Sequence, residues 1–142
     1  MAGILYAIAA GIIIAMQGAM NSRVNEKAGV WMTTTFVHGT GFIVSLLLYL
    51  WLRGGSLDNV FQLNKGYLLG GVLGVGIVVG VTLSIGQLGA AYAVAIVLVA
   101  ELVFALAIDS FGLFGSPRVA FEWNRIIGVV VMIAGILIFK WK

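Results

Sequence analysis

The chain carries five acidic side chains, and one of them, Glu101, lies deep inside an apolar run. Glu26, Asp58 and Glu122 fall in the expected loops between apolar runs, and Asp109 stands at the end of the run that holds Glu101. An ionisable group near the middle of a membrane-spanning helix costs about 2.5–3.5 kcal/mol on insertion scales, so it faces a bundle interior or a wet cavity and marks a functional position. Apolar surroundings disfavour the charged carboxylate. A carboxyl poised in this way can load and release a proton, or exchange a proton for a cationic substrate. The plainer alternative is an acid that stays protonated and only hydrogen-bonds a neighbour. Asp109 reads as an interfacial residue that pairs with Arg118 or Arg125.

Other polar groups sit inside apolar stretches. Gln17 and Asn21 are four apart and share a helix face. His38 lies in His38-Gly39-Thr40-Gly41, Gln87 follows Gly86, and Tyr92 opens the next run. Taken singly, each is expected to hold helices together by hydrogen bonds; taken together they are enough to line one polar cavity. His38 could relay a proton, although a lone His in a helix is more often a hydrogen-bonded structural residue. Trp31 and Phe36, with Tyr92 and Phe104, offer ring faces that could bind an organic cation. With no cysteine and one histidine, disulfides, thiol catalysis, zinc-thiolate sites and multi-histidine metal sites are excluded. No nucleophile–base pair is visible, so neither an enzyme nor a cofactor is expected.

The elements that position these residues follow from composition. The 142 residues are 62% hydrophobic and 9% charged, with a mean hydropathy of +1.15. A soluble domain carries about 25% charged residues, so a soluble enzyme, a disordered tail and a nucleic-acid-binding domain are all excluded. The net charge of +3 forms no basic stripe. The remaining class is an all-α integral membrane protein. About 20 apolar residues of helix cross a bilayer. Five spans are expected, at about 3–20, 30–52, 66–86, 90–109 and 124–140. The third and fourth come from one run, Gly66 to Ile108, roughly 65 Å of helix, divided at Gly86-Gln87-Leu88-Gly89. The runs are continuous, not alternating, so a β-barrel does not fit. The first span lacks a positive leading region and is too long for a signal peptide, so it is expected to stay in the mature protein. The connections are short, and one transmembrane domain over residues 1–142 is expected, with no soluble domain.

Two sets of small residues mark the third span: Gly66, Gly70 and Gly74, and Gly76, Gly80 and Ser84. Such spacing favours close helix packing in lipid, and the same smooth face could slide during alternating access. Trp51, Trp123 and Trp141 fall at span ends and read as interfacial belt residues.

Five spans put the termini on opposite sides. Arg53, Lys65, Arg118 and Arg125 then lie on one side, and Arg23, Lys27, Lys140 and Lys142 on the other, four against four. The positive-inside rule gives no orientation for this tally. A chain without bias can insert both ways, and two copies of opposite orientation can pair into an antiparallel dimer with the inverted symmetry that larger transporters build into one chain. The alternative is a single orientation set by the first span.

Several strings together carry a family resemblance. They are Gln17-Gly18-Ala19-Met20-Asn21-Ser22-Arg23, Ile85-Gly86-Gln87-Leu88-Gly89-Ala90-Ala91, Asp109-Ser110-Phe111-Gly112-Leu113-Phe114-Gly115 with Pro117-Arg118, and Met132-Ile133-Ala134-Gly135-Ile136. With these the whole chain resembles the half-size, five-helix YdcZ-type branch of the drug/metabolite transporter superfamily. The resemblance implies half of an inverted-repeat transporter in a bacterial cytoplasmic (inner) membrane, paired with a second copy or a close paralogue. The superfamily's four-helix exporters carry their coupling carboxylate on the first helix. Here that helix offers Gln17 and Asn21 instead, and Glu101 in the fourth span is the candidate for the coupling part.

The expected function is secondary transport of a small metabolite or drug-like molecule, a cation by preference, through alternating access in an antiparallel homodimer, with proton coupling at Glu101. The candidate substrate- and ion-binding residues are Glu101, Gln17, Asn21, His38, Gln87, Tyr92 and Trp31, with no metal site. Partners are the lipid bilayer, the second copy and the substrate, and no nucleic acid. The alternatives are a small dual-topology ion channel, which would need a continuous polar pore, and an accessory membrane subunit without transport of its own.

Overall fold

A computed structural model describes residues 1–142 apart from Arg53, Phe121 and Lys142, and apart from the side chain of Leu57. Five of its helices are long and apolar enough to cross a membrane, and no strand occurs among the described residues. Helix α1 runs Ala2–Ala28 and α2 runs Val30–Leu52. A short α3, Leu57–Phe61, and a 3-10 turn, Lys65–Leu69, lead into α4, Gly70–Leu88. Helix α5, Ala90–Phe111, is followed by a 3-10 turn, Leu113–Gly115, and α6, Trp123–Lys140.

The helix ends depart from the apolar runs in ways that local chemistry explains. Helix α1 continues well past the expected end at residue 20, so Asn21 to Lys27 form helix and not a loop. Apolar composition stops at Ser22, but the polar residues that follow are good helix formers. Arg23 also pairs with Glu26 one turn on, at 3.2 Å. The helix stops at Gly29, whose φ of 80° suits glycine and whose N–H donates to the Asn25 carbonyl. Between the third and fourth spans the break narrows to Gly89 alone, at φ 81°, while Gly86 and Gln87 stay helical. The third span also begins later than expected as an α-helix. The Asn64 side chain accepts from the Gly66 N–H at 3.0 Å and winds the first residues into the 3-10 turn.

The chain forms two compact units, Met1–Gly86 and Gln87–Lys142. In the first, α1 packs on α2 and approaches α4 closely. A Cβ built on Gly18 would lie 2.6 Å from Ile85 Cδ1 and 3.2 Å from Val81 Cγ1. One turn up, Gly86 faces Ser22. Gly74 backs onto His38 of α2. Within this unit Gly70, Gly76 and Gly80 meet no neighbour, so of the glycines in the expected stripe Gly74 is the one that comes close to another described helix of the unit. Asn21, Ser22, Thr33, Thr34 and Thr82 are buried, while large apolar side chains cover the outside. Lipid tails are as apolar as leucine, so burying oil gains little there; small and polar side chains take the interior.

In the second unit α5 packs along α6. Helix α5 ends at Gly112, in the left-handed conformation at φ 65°. The elbow to α6 is tied back onto it: the Val119 N–H donates to the Asp109 carbonyl at 3.0 Å, and Arg118 Nε donates to the Phe111 carbonyl at 3.2 Å. The Asp109 carboxylate lies 3.7 Å from the Arg125 guanidinium. Of the two arginines named as its partners, Arg125 is the one that pairs.

Candidate functional site

Gln17 and Asn21 do what their spacing implies. One turn apart on α1, they line the same groove between α1 and α2, with a volume of about 520 Å3. The size lies within the roughly 300–1,000 Å3 of small-molecule sites. The opposite wall, from α2, carries Thr40, whose hydroxyl donates to the Phe36 carbonyl at 2.7 Å. That leaves its oxygen free to accept. Ile13, Met16, Met20, Val37 and Val44 make the rest of the surface apolar. Among the described residues no ionisable side chain lines the groove. Asn21 is only 8% exposed, and among the described residues its amide has no hydrogen-bond partner. Gln17 sits on the exposed rim.

His38 lies on a different face of α2. Its Nδ1–H donates to the Thr34 carbonyl at 3.0 Å, so a neutral ring presents the Nε2 lone pair. Nε2 is the atom nearest Gly74, 3.1 Å from where a Cβ would stand. The side chain therefore ties α2 to α4 at a glycine and lines no part of the α1–α2 groove. Trp31, in the first turn of α2, is 71% exposed, as a ring at the membrane surface would be. Gln87, in the last turn of α4, is also exposed.

In the second unit, Tyr92 and Glu101 share α5 but not a face. Tyr92, Ile96, Val99, Val103, Leu106 and Ser110 of α5 line two clefts shared with α6. Glu101 stands nine residues from Tyr92, about two and a half turns, which puts it on the opposite side of the helix. It is exposed there, and among the described residues it makes no hydrogen bond or ion pair. The Tyr92 ring is occupied from within the unit: the Lys140 ammonium stands 4.6 Å from its centroid, a cation–π contact that ties the two helices at one end. Phe36 and Phe104 are exposed, and neither lines the groove.

The first unit thus brings Gln17 and Asn21 together and adds Thr40, a hydroxyl in an apolar span that no periodicity singles out. His38 stands apart as a helix tie. Thr82 is a further buried hydroxyl that sequence reasoning passed over. Among the described residues no cluster of His, Asp and Glu gathers to hold a metal ion.

No curated protein and no solved structure matches the chain. A family profile does, over residues 2–138, described as "Putative inner membrane exporter, YdcZ". The match takes in all five spanning helices, the amide-lined groove on α1 and α2, and the mid-span acid of α5, so the chain belongs to the YdcZ family of the drug/metabolite transporters, multi-pass proteins of the inner membrane.

Proposed function

We propose that the protein exports small organic molecules by alternating access, as an antiparallel homodimer or a pair with a close paralogue, with Glu101 as the proton-coupling carboxyl. The observation that carries this reading is the outward placement of Glu101. It stands near the middle of a spanning helix, turned away from the one helix its own unit packs against α5. Left against lipid, such a group is costly. A second copy presenting the same face removes that cost, and crossing two α5 helices at Glu101 places two carboxyls together. In the proposed cycle that pair is where a proton is loaded and released as the site opens to one side or the other. The even split of Lys and Arg between the two sides supports copies of opposite orientation, and the dimer then has the inverted symmetry on which alternating access rests. Gln17 and Asn21 face the substrate. His38, Gln87, Tyr92 and Trp31 support the two states from helix contacts and the membrane surface.

The chain has no native cysteine, so cross-linking is clean. Glu101→Cys, oxidised in native membranes, is expected to give a disulfide-linked dimer, while Val99→Cys on the side facing α6 stays monomeric. Reporters fused to the C-terminus, one active inside the cell and one outside, should both give signal. A monomeric Glu101→Cys chain together with signal from one reporter only would end the antiparallel reading.

A further inference from the structure

We infer that the groove between α1 and α2 is a binding site for an uncharged, largely apolar molecule bearing hydroxyl, amide or carbonyl groups. This deepens the exporter reading and rests on it for the direction of movement, but not for binding. The argument begins with Asn21. The residue is only 8% exposed and lines the groove, and its amide makes no hydrogen bond among the described residues. An amide left unpaired against an apolar groove is unfavourable, and it offers both two donors and an acceptor. Gln17, one turn away, repeats that set at the rim, and Thr40 across the groove adds an acceptor while its proton is held by the Phe36 carbonyl. The groove therefore presents donors and acceptors from α1, a further acceptor from α2, and methyl, methylene and thioether groups elsewhere.

That chemistry separates ligand classes. A charged group entering the groove would find no side chain of opposite sign, and an unpaired ion in apolar surroundings is heavily disfavoured. The ring faces that could have held a cation do not line the groove, and Tyr92 already carries Lys140. A lipid acyl chain would fill the apolar wall but leave the amides unsatisfied. A molecule with a small uncharged polar end satisfies both, and the two methionines, Met16 and Met20, let the wall adapt to its shape.

The test uses the full chain in phosphatidylcholine vesicles and two photoreactive probes that differ only in their polar end. One is benzyl alcohol carrying a trifluoromethyl diazirine, and the other is the corresponding benzylammonium. Labelled positions are mapped by mass spectrometry. The alcohol is expected to label residues 13–21 and 37–44, with labelling competed by excess benzyl alcohol. Asn21→Leu should weaken it about two- to tenfold, the worth of one net hydrogen bond. Asn21→Asp, nearly the same shape, should turn the preference toward the ammonium. Labelling that cannot be competed and is equal in the wild type and Asn21→Leu marks a lipid groove and overturns the inference. So does ammonium labelling as strong as the alcohol's in the wild type, and so does an unlabelled groove, which a second copy would produce. Binding is read without transport, so failed export with this pattern intact would refute the exporter reading alone.

Discussion

On α5, Glu101 lies on the face turned away from α6, while Tyr92 lies on the face turned toward it and receives the Lys140 ammonium 4.6 Å from its ring centroid. One helix thus divides two tasks. Its Tyr92 face does the packing within the unit, and its Glu101 face carries a titratable group with no partner in the described chain. The rest of that outward face is valine, leucine, isoleucine, alanine and phenylalanine.

Replacing the acid by its amide keeps the shape and removes the proton. Glu101→Gln is expected to fold and dimerise as the wild type does, but to lose the dependence of export on a pH gradient. The measurement loads reconstituted vesicles with a bacterial metabolite extract and follows release by mass spectrometry, with and without an imposed gradient. Glu101→Asp should retain part of the response. Gradient-driven release unchanged in Glu101→Gln would remove Glu101 from coupling.

A glycine at a helix contact should respond to substitution in the opposite way to one that faces outward. A Cβ at Gly18 meets the flexible tip of Ile85 at 2.6 Å, so Gly18→Ala asks for a small shift of that tip. Gly18→Leu wedges α1 from α4 and is expected to cost about 1–3 kcal/mol, as overpacking does. Gly80 meets nothing within its unit, and Gly80→Ala should leave the thermal stability of the monomer unchanged or raise it by up to about 1 kcal/mol through helix propensity. Melting curves in detergent give both. Equal losses at the two positions would contradict the close approach of α1 to α4.

The elbow between α5 and α6 depends on backbone geometry more than on its ion pair. Gly112 has φ 65°, and a Cβ there would stand 2.7 Å from Arg118 Cγ and 3.2 Å from the Ser116 carbonyl. Gly112→Ala therefore meets the left-handed penalty of about 1–2 kcal/mol and a clash besides. Asp109→Asn breaks a 3.7 Å pair that is partly exposed and should cost no more than about 1 kcal/mol. It leaves the bond from the Val119 N–H to the Asp109 carbonyl in place. A larger loss from Asp109→Asn than from Gly112→Ala, read by thermal melting, would reverse this ranking.

What the sequence made legible divides along a physical line. The five spans follow from run length and one glycine-marked break, because a continuous apolar run satisfies its backbone inside lipid as a helix. Gln17 and Asn21 share a groove because residues four apart share a face, whatever the neighbours. The end of α1 was not legible from hydropathy, since Arg23, Glu26 and Lys27 continue the helix after the oil stops. Thr40 and the Tyr92–Lys140 contact depend on which helices meet, and a single apolar pattern does not encode that. The glycines of α4 show the same limit: spacing marks a smooth face, but only packing decides that Gly74 meets His38 while Gly76 meets nothing in its unit.

The buried hydroxyls give the last prediction, which turns on the sign of a change. Thr33, Thr34 and Thr82 are all buried in the first unit. Thr33 Oγ1 donates to the Gly29 carbonyl at 2.9 Å and Thr34 Oγ1 to the Val30 carbonyl at 2.8 Å, each bonding back one turn. Thr82 Oγ1 makes no such bond and is the buried side-chain oxygen without a partner among the described residues. Valine replaces a hydroxyl by a methyl at nearly constant shape. At Thr33 the exchange removes a made hydrogen bond and should cost about 1 kcal/mol. At Thr82 it removes a buried polar atom that has no partner and should be neutral or stabilise by up to about 1 kcal/mol. Thermal melting of the two variants side by side separates the cases. A loss at Thr82→Val as large as that at Thr33→Val would mean that the hydroxyl is bonded in the membrane-embedded protein, and that the polar interior between α1, α2 and α4 is a connected network instead of separate helix-backbone bonds.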